Sequence, residues 1–185
     1  MADTGWLDFT TITREDRAGS VNEYGWWRDS TTAYADEEDG TYARTDSFLR
    51  TGYTPWLRFV NVSGLSIPVG STIDGIEVRI KRKGLDYTTH NSDIRDSVLR
   101  LHVSGTMSGD DNADTDTTWP TSNAFGATVG GPTDDWNAGY DRADLIGATF
   151  GVQLSVANVE TVDAYGSAFV DVLQIKIYYT VPGEL

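Results

Sequence analysis

The sequence predicts an all-β domain: an antiparallel two-sheet β-sandwich, jelly-roll-like or immunoglobulin-like in layout, carrying an N-terminal arm. Three observations predict it. Residues 150–180 alternate with a period of two, with Phe150, Val152, Leu154 and Val156 on one face, then Leu173, Ile175, Ile177 and Tyr179. No stretch sustains a helical period. The 185 residues include 19 glycines and many Ser, Thr, Asn and Asp, as suits short strands joined by turns. Residues 150–157 and 172–180, joined through 158–166, read as an antiparallel pair at the centre of one sheet.

Residues 1–30 read as the arm, 31–181 as the sandwich and 182–185 as a tail that stops the last strand. In the arm, Trp6, Leu7, Phe9 and Ile12 cluster, with Leu7, Phe9 and Thr11 on one strand face. Residues 13–23 are charged and turn-like, and Gly25-Trp26-Trp27 follows. An arm with aromatics but no core of its own buries them elsewhere, either on the parent sheet as an edge strand or on a neighbouring subunit.

Asp39-Gly40 is a turn signal, and Ser47 to Arg50 is a short strand. In residues 54–62, Trp56, Arg58 and Val60 face one way and Leu57, Phe59 and Asn61 the other. Residues 67–71 form a turn, because Pro68 offers no donor to a ladder. Residues 73–83 alternate clearly: Ile76, Val78 and Ile80 point inward, and Glu77, Arg79 and Lys81 outward. The run Lys81-Arg82-Lys83 reads as a solvated strand end. Residues 84–93 read as a polar loop, and 98–104 as a strand with Leu99, Leu101 and Val103 inward. Residues 105–140 form a long connection with little strand pattern, and 141–145 a helical turn.

Composition excludes several classes. Asp and Glu number 28 against 14 Lys and Arg, a net charge of −14. That argues against nucleic-acid binding, which needs clustered cations. There is no cysteine, which excludes disulfides and thiolate metal sites. No apolar run is long enough for a membrane span, and the start lacks the pattern of a secretory signal.

Candidate chemistry is sparse. Asp110, Asn112, Asp114 and Asp116 begin like a calcium loop, but Thr115 stands at the turn glycine and Thr121 at the bidentate Glu. Asp134 and Asp135 beside Trp136 suggest either a glycosidase acid pair or turn-forming aspartates under an anchoring ring. His90 and His102 have no nucleophile context. No catalytic residue and no cofactor is expected.

Residues 66–83, SIPVGSTIDGIEVRIKRK, resemble the IP-x-G-x-T-I-x-G-I-E-V-x-I-x-R-K segment of a β-sandwich domain found in tailed-phage structural proteins. Residues 96–101, Trp119-Pro120, Gly130-Gly131 with Asp135-Trp136, 150–154 and 168–180 follow in the same order. Ala33 to Asp36 with Gly40 to Ala43 resemble its entry. The resemblance implies a non-enzymatic structural module, of a kind found in virion surface proteins and in larger bacterial surface chains. One bare domain with a short aromatic arm suits, better than a long fibre, a virion structural protein of the bacteriophage head surface, a decoration or cement protein. It would bind the major capsid protein and form a homo-oligomer, a trimer best suiting capsid symmetry. Trp6, Leu7, Phe9, Trp26 and Trp27 are then the candidate interface residues. Deleting 1–27 is expected to leave the domain folded and abolish particle binding. The alternative is a tail-tip or fibre-associated module that recognises a host-surface glycan through residues 105–140.

Overall fold

A computed structural model describes residues 1–20, 27–29, 38–45, 52–86, 93–159 and 166–183. In chain order its strands are β1 (Ala2–Asp3), β2 (Phe9–Glu15), β3 (Trp27–Arg28), β4 (Ala43–Thr45), β5 (Gly52–Tyr53), β6 (Trp56–Val62), β7 (Thr72–Asp86), β8 (Ile94–Val103), β9 (Thr106–Ser108), β10 (Ala124–Phe125), β11 (Val129–Gly130), β12 (Gly151–Asn158) and β13 (Gly166–Thr180). One helical turn, α1 (Arg142–Leu145), precedes β12. The first sheet runs β10-β7-β13-β4-β3, with β1 also on β13 and β11 also on β7. The second runs β2-β6-β12-β8-β9, with β5 also on β12. The sheets pack face to face as the predicted all-β sandwich.

The core lies between them. Ile76, Val78 and Ile80 of β7 and Leu173, Ile175 and Ile177 of β13 face Leu57, Phe59, Leu99, Leu101, Val152 and Leu154 of the second sheet. All are buried, and each such side chain contributes about 1.5–3 kcal/mol relative to exposure.

The two strands at the end of the chain are central, but not to each other. β12 lies between β6 and β8, and β13 between β7 and β4, in opposite sheets. The expected pairing of these strands is therefore corrected. Alternation specifies which side chains share a face, and both inward faces share the same core whichever sheet holds them. The outward side of β12 is covered as well. The Arg17 guanidinium donates to Ser155 Oγ at 2.6 Å and Ser97 Oγ at 2.9 Å, and stacks 4.0 Å from the Tyr53 ring centre.

Register shifts occur at three places, one of them at Tyr178–Tyr179 near the end of β13, and the other two shift the alternation within the core. In β8, Ile94 and Asp96 are buried, then Leu99, Leu101 and Val103, a slip at Ser97 matched by an irregularity against β12. In β13, Ala168 and Val170 give way to Leu173 and Ile175, a slip at Asp171 against β7. An extra residue flips the face of everything after it and re-aims its own side chain. The slip hid the first half of β8, which extends to Ile94 rather than starting at Val98. β7 likewise continues through Gly84 to Asp86, where a loop was expected. Gly84 permits this: a Cβ there would lie 3.1 Å from Ile94 Cβ, where the two sheets meet.

Residues 1–15 join both sheets. β1 pairs with Tyr178 and Tyr179 of β13, and Leu7 bridges Ile175. The chain then crosses to become the edge strand β2 on β6, continuing to Glu15 where a turn was expected. Phe9 and Ile12 are both buried, rather than Leu7, Phe9 and Thr11 sharing a face. The left-handed Asn61 (φ 63°), opposite Thr10, interrupts the regular alternation there.

Residues 105–140 hold the short strands β9, β10 and β11 and two buried anchors, Trp119 and Trp136. Trp136 Nε1 donates to Ile76 O at 3.0 Å. In α1, Asp141 caps the first turn, accepting from Ala143 N and Asp144 N, as expected of the helical turn. The expected strand at Ser47 to Arg50, the Ala33 to Asp36 segment, Trp26, His90 and most of the link between β12 and β13 lie outside the described residues.

Candidate binding face

The chain has three lysines, Lys81, Lys83 and Lys176, and all three lie on the outer face of the first sheet. Alternation puts them there. Glu77, Arg79, Lys81 and Lys83 are the outward positions of β7, and Gln174, Lys176 and Tyr178 those of β13, with Arg79 opposite Gln174 and Glu77 opposite Lys176.

Aromatic rings from three other segments lie over these cations. Trp6 sits 4.4 Å from the Arg79 guanidinium and 4.3 Å from Lys176 Nζ. Phe125 of β10 covers Arg79 at 4.2 Å. Tyr42 lies 4.2 Å from Lys83 Nζ and meets Phe169 edge-on at 5.7 Å. Each cation–ring contact contributes about 0.5–1 kcal/mol at such half-exposed positions. The rings are half-buried apart from Phe169, which is buried.

Carboxylates complete the face. Lys176 Nζ donates to Glu77 Oε2 at 3.1 Å, and Tyr178 OH donates to the same oxygen at 2.7 Å. Burial alone pushes the Glu77 carboxyl up, but hydrogen bonds from Tyr178, Lys176 and Thr128 outweigh it and hold it below its usual value. Lys81 Nζ donates to Glu38 Oε2 at 3.1 Å, which raises the lysine, and it lies 3.4 Å from Asp171 Oδ2. Asp171 is fully buried, and accepts from Gly40 N at 3.0 Å and Asn123 Nδ2 at 2.7 Å.

The residues singled out from sequence fare differently. Phe9 and Trp27 are in the core, with Trp27 Nε1 donating to Pro55 O at 3.0 Å. They are therefore not available to a partner. Leu7 is half-buried in its bridge to Ile175, and Trp6 alone of the described four lies on the cationic face.

Of the acidic residues in 110–116, Asp111 and Asp114 accept from backbone. Asp111 Oδ1 accepts from Leu99 N, and Asp114 Oδ1 from Asp116 N and Thr117 N. Asp110 accepts from the Asn137 side chain. Among the described residues no three His, Cys, Asp or Glu side chains are placed to hold a metal ion. Asp134 and Asp135 accept from Trp136 N and Asn137 N, two turns that hold the ring in the core. Burial lowers the His102 pKa, and its Nδ1 lies 2.8 Å from Thr149 O.

No family model matches the sequence, and no curated protein or solved structure matches it.

Lys81 to Lys83 are not the expected solvated strand end: Lys81 and Lys83 stand on this face, and Arg82 between them is buried. The signal was present in the outward spacing of Arg79, Lys81 and Lys83. The covering rings were not, because they come from residues 6, 42 and 125.

Proposed function

We propose that the protein is a non-enzymatic virion structural protein, a decoration protein that binds the outside of a tailed-phage head through its major capsid protein. The observation that carries the reading is the outer face of the first sheet. In a chain of net charge −14, it gathers every lysine, with half-buried rings over Lys83 and Lys176 and the Phe125 ring 5.8 Å from Lys81. Such a face suits a broad contact with an acidic protein surface, since aromatic rings supply area and cations supply register. The resemblance of residues 66–83 to phage structural domains supports the same reading, and those residues include most of β7, the strand that carries the face. A closed trimer would match the symmetry of a capsid.

The test is co-sedimentation of the purified protein with heads of the phage that encodes it, with light scattering of the free protein. Saturable coating of heads, reduced at least tenfold by Trp6→Ala in a folded variant, is expected. Protein that ignores heads but binds host cells would overturn this reading in favour of the tail-associated module.

A further inference from the structure

Lys81, Asp171 and Glu38 have the arrangement of a self-condensing site. The Lys81 Nζ lies 3.4 Å from Asp171 Oδ2, on the neighbouring central strand. The bulge at Asp171 aims this carboxylate at the lysine, which stands opposite Val172. Asp171 is shut off from solvent, and two neutral donors, Gly40 N–H and Asn123 Nδ2, hold its two oxygens. A second carboxylate, Glu38, takes a hydrogen bond from the same ammonium at 3.1 Å. An ion pair alone needs one carboxylate. This lysine has two, of which one is buried and held by donors on both oxygens.

We propose that Lys81 and Asp171 join in an intramolecular isopeptide bond, with Glu38 moving the proton. The bond would use one of the three lysines of the binding face and leave Arg79, Lys83 and Lys176 as its cations. In the resting pair the ammonium is charged, so the reaction begins when Glu38 accepts a proton from Nζ. Glu38 passes that proton to an Asp171 oxygen, because an ionised carboxylate is not an electrophile, and the neutral amine attacks Cγ of the neutral carboxyl. Gly40 N–H and Asn123 Nδ2 then stabilise the charge that collects on the carboxylate oxygens, as donors do around any tetrahedral intermediate. One oxygen leaves as water, with its protons supplied by the amine and by Glu38. The sum is an ammonium and a carboxylate giving an amide and one water, with no oxidant and no further reactant. The product ties β7 to β13, the two longest strands, by a covalent link.

Intact mass spectrometry of the denatured full chain tests this, with N-terminal processing read from the first peptide. The mass is expected to fall short of the sequence by one water, and digestion is expected to yield one branched peptide joining Lys81 to Asp171. Lys81→Arg and Asp171→Ala should each lack that branched peptide, and Glu38→Gln should leave most molecules unjoined. A wild-type chain at full mass overturns the proposal. So does a water deficit mapped to Asp39-Gly40, which would be a succinimide rather than a cross-link.

Discussion

Arg82 of β7 and Asp96 of β8 form a buried ion pair that joins the two sheets across the core. Trp119 Nε1 donates to the same Asp96 oxygen at 2.9 Å, and the Arg82 guanidinium lies 4.7 Å from the Trp119 ring centre. Asp114 N reaches the other carboxylate oxygen at 3.3 Å. One buried aspartate thus fixes the opposite sheet, an aromatic anchor and the acidic loop.

Asp96→Ala should therefore cost more than a lost pair. It leaves the guanidinium and the indole N–H buried without their acceptor, a loss of about 3–5 kcal/mol. Urea unfolding should show it as a lower midpoint. The double variant Arg82→Met with Asp96→Leu should recover part of that loss, because no charge is then stranded. A double variant worse than the single would contradict this account.

The N-terminal segment leads to a second expectation. Deleting residues 1–27 would remove the edge strand of the second sheet, the β1 pairing on β13, and the buried Phe9, Ile12 and Trp27. Phe9 lies 6.1 Å from Phe59, centre to centre. Phe9→Ala alone should cost about 3–5 kcal/mol. The truncation should lose cooperative thermal unfolding, in contrast to a detachable arm. A truncated chain that melts near the wild-type temperature would show that the arm is separable after all.

Much of this fold was legible from residue pattern. The inward faces of β6, β7, β12 and β13 could be read because Leu57, Val78, Leu154 and Ile175 each recur at every second position. Strand neighbours could not be read, because β12 and β13 present similar patterns to the same core from opposite sides. The bulges at Ser97 and Asp171 were hidden for a related reason: one inserted residue looks like the end of a strand. The Asp171 site was illegible altogether. Its members come from residues 38, 40, 81, 123 and 171: the register of β7 on β13 sets Lys81 beside Asp171, and two separate segments bring Glu38, Gly40 and Asn123 to them.

His102 gives a pH dependence. It is buried on the outward side of β8, with Arg58 of β6 and Glu15 of β2 as its charged neighbours. Burial lowers its pKa, with the Arg58 charge acting in the same direction, while Glu15 and the Thr149 carbonyl act against them. The unfolded chain then binds a proton more readily than the folded one. Stability is complete above the unfolded value of about 6.5 and falls as pH drops from there toward the lowered folded value. Urea midpoints measured between neutral and mildly acid pH should decline in that window, and His102→Gln should flatten the decline. An unchanged slope in the variant would assign it elsewhere.

The second sheet closes tightly at Gly151. This residue pairs with Val60 on one side and His102 on the other, and a Cβ there would meet Phe59 O at 1.8 Å and Val60 Cα at 2.8 Å. Both are backbone atoms, so no side-chain rotation relieves the clash. Gly151→Ala must push β6 from β12 and disturb Leu57 and Phe59 behind it, costing about 1–3 kcal/mol or more. Gly131 is the control. A Cβ there meets nothing within 4 Å, so Gly131→Ala should be neutral, or should stabilise by up to about 1 kcal/mol through the unfolded chain. Differential scanning calorimetry of the two variants separates close backbone approach from the general effect of replacing glycine. Equal melting temperatures would refute the contact argument.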